Sequence, residues 1–249
     1  MLKEFRVRNF MNFRDELIFS LENKKSYEFN NDLISNGIIE KAAVIGYNAS
    51  GKSNLGEALL DIANHITDVA KTTVSKGLYT NLYSQDKEAH FSYTFQFDKN
   101  EVIYQYDKID PITVTRERVW INKKEVLRKD NDSVLIDLAG AETVNIDNMN
   151  STISLVRYVY ANTALDKSDI YSNTFIKFVE FVKGMLMISA TDTRKYAGFT
   201  NVQGNMFSLI CDLDHGVEDL EKFLHSCEID YKLVEMEDEE GKNIYCKYD

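Results

Sequence analysis

The 249 residues are 44% hydrophobic, 12% aromatic and 28% charged, which is enough apolar content to build a core and excludes disorder as the main state. One proline and 11 glycines exclude collagen-like and proline-rich classes, and no apolar run is long enough for a membrane-spanning helix. The net charge of −11 is uneven: residues 1–129 carry 19 Lys+Arg and 18 Asp+Glu, whereas residues 130–249 carry 10 and 22.

The acidic second half repels polyanions, so net charge does not favour DNA as a partner, although it does not close that option. The first residues, MLKEFRVRNF, place charges where a signal peptide needs an apolar run. A cytoplasmic protein with no membrane partner is the expectation. Cys211, Cys227 and Cys246 are odd in number and lack C-x-x-C spacing, so they read as reduced thiols.

In chain order, residues 2–21 alternate around Phe5–Val7 and Leu17–Leu21 and predict two strands joined near Asn12–Asp15. Residues 22–37 are polar and read as a loop. The run IIEKAAVIG (38–46) predicts a buried strand ending at a glycine. Residues 52–71 space Leu55, Leu59, Ile62, Ile66 and Val69 at three to four residues and predict an amphipathic helix, with His65 on its surface.

From 89 to 129 the period changes to two, over AHFSYTFQFD, EVIYQYDK and ITVTRERVWINKKEVLRK. This predicts an antiparallel meander, taken as a lobe inserted at about 85–130. Residues 132–160 are ambiguous: 134–140 is compatible with a buried strand, and Ser154–Tyr160 fits strand or helix. Residues 168–188 predict a helix capped by Ser168–Asp169, with Phe175, Phe178 and Phe181 in the core. Residues 214–226 predict a short helix, and two runs flanking Asp238–Lys242 predict a hairpin. Ending on an open sheet edge, the chain leads to the expectation that more of the fold lies beyond it.

One motif carries chemistry. Gly46-Tyr47-Asn48-Ala49-Ser50-Gly51-Lys52-Ser53 matches G-x-x-x-x-G-K-[ST], the Walker A phosphate loop. Its glycines let the backbone wrap tightly, so that amides of Asn48 through Ser53 can face phosphate oxygens. Lys52 supplies a point charge for the β- and γ-phosphates and is the candidate catalytic residue. The Ser53 hydroxyl is a hard donor for Mg²⁺. The helix that follows aims its positive end at the anion. The cofactor set is ATP with Mg²⁺, and the binding residues are Gly46, Asn48, Ala49, Ser50, Gly51, Lys52, Ser53 and Asn54.

The opening LKEFRVRNFMNF, with Val7, Asn9 and Phe10, and the loop Gly46 to Leu55, with Asn48 and Asn54, together resemble ABC-type ATPases of the SMC/RecF class. The resemblance is closest to bacterial AAA family ATPases related to OLD and abortive-infection proteins. It covers about residues 1–70 well. It implies an α/β P-loop NTPase core, mostly parallel, with the antiparallel β lobe inserted, as one N-terminal domain of an incomplete head. It also implies ATP hydrolysis that drives a conformational switch, a homodimer of ATPase heads, a nuclease or toxin partner, and a role in DNA transactions or phage defence.

The family's basic residue after the Asn-Phe pair is Met11 here. Its Walker B acid, signature motif and switch histidine are not visible in this chain. Val134–Asp137 continues with Leu138, and FSLICDLD (207–214) fits less well. Two other readings stay open. A nucleotide-binding interaction module would bind ATP without turnover. A GTPase would use Asp137–Gly140 and Asn122–Glu125, but in the wrong order and with Glu125 where Asp is needed.

Overall fold

The computed structural model describes residues 1–24, 29, 31–67, 79–130, 133–145, 153–188, 196–198, 206–238 and 241–247. Two compact units are present, Met1–Phe199 and Thr200–Asp249.

The first unit opens with β1 (Leu2–Arg8) and β2 (Leu17–Ser20). A small hairpin of β3 (Ile34–Ser35) and β4 (Ile38–Ile39) follows. Helix α1 (Lys52–Ile66) comes next. The meander is β5 (Ala89–Phe97), β6 (Asn100–Lys108), β7 (Val114–Ile121), β8 (Lys124–Lys129) and β9 (Val134–Ile136). Helices α2 (Leu155–Asn162) and α3 (Ile170–Lys183) and a small pair, β10 (Leu186–Ile188) with β11 (Tyr196–Gly198), complete the unit.

Seven strands form one sheet in the order β2-β1-β5-β6-β7-β8-β9, and every pairing in it is antiparallel. This corrects the expectation of a mostly parallel core. Parallel neighbours need long crossovers, whereas β5 to β9 follow one another through short turns. The β7–β8 turn shows why: Asn122 and Lys123 both take positive φ, at 50° and 69°, as a tight hairpin requires. The meander is also continuous with the N-terminal strands, because β1 pairs with β5 from Leu2↔Phe95 to Arg8↔His90.

The alternation seen in sequence is the burial pattern. On β5, Ala89, Phe91, Tyr93 and Phe95 point inward while His90, Ser92 and Thr94 face outward. The inner face packs against α1, α2 and α3 as a two-layer sandwich. Phe175 and Phe178 of α3 are fully buried and Phe181 packs at the margin, as the helical spacing predicts. Phe178 meets Phe95 and Tyr104 at ring-centroid distances of 5.4 Å each. Asp169 caps α3 by accepting from Ser172 N, and Ser154 caps α2 by accepting from Arg157 N. The segment 154–160 is therefore helical.

Three further expectations change, the first being that the helix expected over 168–188 stops at Lys183 and Leu186–Ile188 is strand β10. Of the run 38–46, only Ile38–Ile39 is strand, and residues 41–50 are exposed throughout, with Ile45 at 93%. An apolar run becomes a strand only where a neighbour accepts its backbone bonds, and no described strand pairs with it. The run 134–136 does pair, but at the sheet edge and half-buried. Helix α1 ends at Ile66, so Val69 lies outside the described residues.

The second unit holds α4 (Met206–Asp212), α5 (Gly216–Ser226) and the hairpin β12 (Lys232–Asp238) with β13 (Gly241–Lys247). The last helix and the hairpin stand where the sequence pattern put them. Among its residues with described burial, none is buried.

Candidate phosphate-binding loop

The loop curls back on itself at the head of α1. Ser50 N donates to Tyr47 O (3.3 Å). The Lys52 ammonium folds over the loop and donates to Gly46 O and Tyr47 O, both at 2.7 Å. Two residues take left-handed backbone, Ala49 at φ 62° and Gly51 at φ 97°. For Ala49 that conformation is costly, on the order of 1–2 kcal/mol, and such outliers gather where a backbone shape is used.

Gly51 occupies the N-cap position and brings no side chain to cap the helix. The amides of the first turn, Lys52 to Asn54, therefore have no side-chain cap, and the helix dipole adds positive potential there. A Cβ at Gly51 would collide with the Asn12 side-chain amide, and one at Gly46 would come within 2.9 Å of Ser50 Oγ. Gly51 is needed for its backbone shape, whereas the Ser50 hydroxyl, at the end of a rotatable side chain, can turn away from a Cβ at Gly46. Ser53 lies exposed on the same first turn.

Sequence reasoning missed Asn12, which sits in the turn after β1. Asn54 Nδ2 donates to Asn12 Oδ1 (2.7 Å), and this bond joins the start of α1 to that turn. Asn9, the buried Asn of the opening motif, holds the turn's other side. Its Nδ2 donates to Asp86 O and Glu88 O (2.8 Å each), and its Oδ1 accepts from Asn81 N (3.2 Å). Phe10 then enters the core against Tyr79 and Phe91.

The body of α1 is held by a buried polar network that was not foreseen. Asp61 accepts from Lys108 Nζ (2.9 and 3.2 Å), Tyr106 OH (2.9 Å) and Tyr79 OH (3.1 Å). Tyr93 OH donates to Ala58 O at 2.8 Å. His65, expected on the surface, is buried between Asp61 O and Tyr104 OH. Burial, with the Lys108 charge nearby, pushes its pKa well below the ordinary imidazole value, so it is neutral. Burial likewise raises the Tyr79, Tyr93, Tyr104 and Tyr106 hydroxyl pKa values. Glu117, fully buried, accepts from Tyr104 OH, Ser154 Oγ and Leu155 N, each at 2.6 Å, and so fastens the start of α2 to β7. The signal was in the alternation: Lys108 continues the inward series Val102, Tyr104, Tyr106.

No protein-family model matches the chain, and no curated protein matches it.

A triphosphate tail and its magnesium can be tested against these residues. The glycine-lined loop, the uncapped helix start and Lys52 form a donor set of the right chemistry for phosphate oxygens. For Mg²⁺, Ser53 is one hard oxygen donor, with phosphate oxygens and water left to complete the shell. No group of three His, Cys, Asp or Glu side chains that could hold a metal occurs among the described residues. Asp137, read in sequence as the nearest match to a Walker B acid, is exposed past the edge strand β9 and paired with Lys124 Nζ (2.9 Å). Of the other candidate, 207–214, all but the last two residues lie in helix α4. Asn122 and Lys123 are hairpin-turn residues, which accounts for their sequence without a base-reading role.

Proposed function

We propose that this chain binds the phosphates of ATP through Gly46–Ser53 and belongs to a P-loop ATPase of the ABC type. The observation that carries the reading is the folded Lys52, its ammonium held by two loop carbonyls at the uncapped start of α1. Phosphate oxygens would exchange with those carbonyls as acceptors for the same ammonium, and the amides of Asn48 to Ser53 would line the tail. Bound Mg²⁺ would neutralise charge on the β- and γ-phosphates, with Ser53 among its ligands. Lys52 would stabilise charge that develops on the transferring group. The resemblance of Val7–Phe10 and Gly46–Leu55 supports the wider reading: a conformational switch driven by hydrolysis, dimeric heads, and work with a nuclease or toxin partner in DNA transactions or defence against phage.

A second reading is favoured by one observation. Both apolar runs considered for the catalytic acid serve other structural ends, one as an edge strand and one as a helix. On that reading the chain binds nucleotide and turns none over. Calorimetric titration with Mg-ATP tests the shared claim: saturable binding is expected, weakened at least tenfold by Lys52→Ala. Absence of heat at millimolar nucleotide refutes it. Steady-state phosphate release, lost in Lys52→Ala, separates the enzyme from the module.

A further inference from the structure

Helix α1 carries two acids, Glu57 and Asp61, and neither lies in its first turn. Asp61 is fully engaged by Lys108, Tyr106 and Tyr79. Glu57 is not engaged. Among the described residues no cation and no hydrogen-bond donor acts on its carboxylate, and burial alone raises its pKa above the ordinary glutamate value. Its helical neighbours do not balance the charge. Three and four residues away stand Ser53, Asn54, Leu60 and Asp61, which bring no positive charge, and Asp61 brings a like one. The nearest loop cation, Lys52, is turned to Gly46 O and Tyr47 O.

For the fold alone this is a costly choice. A half-buried carboxylate gives up hydration and here gains no partner in return. Glutamine would keep the size and the helix propensity without the charge.

The place of Glu57 on the helix gives the charge a use. Ser53 and Glu57 are four residues apart, so they share one face of α1 with Cβ atoms about 5–6 Å from each other. That face is the accessible one. Ser53 is exposed and Glu57 half-buried, whereas Ala58, Asp61, Ile62 and His65 are buried. Helical side chains lean toward the N-terminus, so the Glu57 carboxylate leans back toward the turn that holds Ser53.

We propose that Glu57 is a magnesium-positioning residue of the phosphate loop: Ser53 offers the ion a direct oxygen, and Glu57 accepts hydrogen bonds from water in its shell. The proposal rests on the reading of Gly46–Ser53 as a nucleotide site, and it assigns a carboxylate to a loop whose helix has none in its first turn. Mg²⁺ dehydrates reluctantly and is held by one or two carboxylates together with phosphate oxygens and water, so an acid one turn behind the direct ligand suits it. A cation beside Glu57 also offsets the cost of its desolvated charge.

The test is calorimetric titration of the full chain with ATP, once in excess Mg²⁺ and once in EDTA. The wild-type chain should bind ATP more tightly with Mg²⁺. Glu57→Gln should keep the affinity measured in EDTA and lose about tenfold in Mg²⁺, the scale of one charge acting on a divalent ion in a water-like dielectric. Without nucleotide, Glu57→Gln should unfold in urea at a midpoint no lower than that of the wild type, since only an unpaired charge is removed; an acid that held the fold together would lower it. A lowered midpoint, an equal Mg²⁺ effect in wild type and variant, or an affinity loss in EDTA as large as that in Mg²⁺ each overturns the proposal. ATP binding by the wild type without any Mg²⁺ effect refutes the role of Glu57 alone, whereas no ATP binding under either condition refutes the nucleotide site and this role with it.

Discussion

Lys108→Met probes the network that holds α1. Lys108 is fully buried, and its ammonium contacts both oxygens of Asp61, itself 3% exposed. Removing the lysine leaves a buried carboxylate with only the Tyr106 and Tyr79 hydroxyls, at 2.9 and 3.1 Å. Two hydrogen bonds from neutral donors do not replace a paired charge, and breaking one side of a buried pair costs about 3–5 kcal/mol. Removing both charges together is far cheaper, because an uncharged pair needs no counter-ion. The double variant Asp61→Asn, Lys108→Met should therefore be more stable than Lys108→Met alone, by about 2 kcal/mol or more. Urea unfolding followed by circular dichroism reads this as a shift in midpoint at constant slope. If Lys108→Met costs under about 1 kcal/mol, or if the two substitutions simply add, the pair is not the anchor described.

Gly51→Ala should destabilise the chain by about 1–2 kcal/mol and abolish nucleotide binding, since φ 97° disfavours any Cβ and the new methyl meets Asn12. Adding Asn12→Ala should relieve the clash without restoring the backbone, which a paired thermal melt would show. Asn9→Ala removes both side-chain donations to Asp86 O and Glu88 O and should cost about 2–3 kcal/mol in urea unfolding. Two of the four histidines, His65 and His90, should titrate oppositely. His65 is neutral when folded but takes up a proton in the unfolded chain below about pH 6.5, so stability falls by up to about 1.4 kcal/mol per pH unit on the acid side. The destabilisation caused by His65→Gln should therefore shrink as pH falls through that range. His90, held between Asp107 and Asp86, has a raised pKa, so its stabilising effect is full below about pH 6.5 and fades as pH rises through the folded value. His90→Gln should be most costly at low pH, and urea midpoints across pH 5–8 check both signs.

What could be read from residues alone followed from local periodicity. Alternation located β5 to β8, because a sheet with one covered face repeats every two residues, and the start of α1 at Lys52 was legible from the eight-residue motif that leads into it. What failed depended on neighbours. Ala42–Ile45 looks like a core strand by composition, yet a strand exists only with a partner, and these residues lie exposed. His65 was expected at the surface, and nothing singled out Lys108 or Glu117, because such side chains are usually solvated. Yet Lys108 and Glu117 occupy inward positions of strands already recognised, so the period that found the sheet also marked the exceptions within it.

Those exceptions explain how the loop is oriented. Apolar packing by Leu55, Ile62 and Ile66 presses α1 onto the sheet but tolerates rotation about the helix axis, since such contacts have no preferred direction. Hydrogen bonds do have one. Asn54, Ala58, Asp61 and His65 recur at helical spacing along a single stripe, and each carries a directional contact: to Asn12, Tyr93, Lys108 with two tyrosines, and Tyr104. Rotating the helix by one residue, about 100°, would break all four. The stripe thus fixes the helix phase, and the phase fixes which way the first-turn amides and Lys52 point. A core of leucine and isoleucine alone would bury α1 as well without setting that direction, which accounts for a buried aspartate and lysine where apolar residues would pack at lower cost.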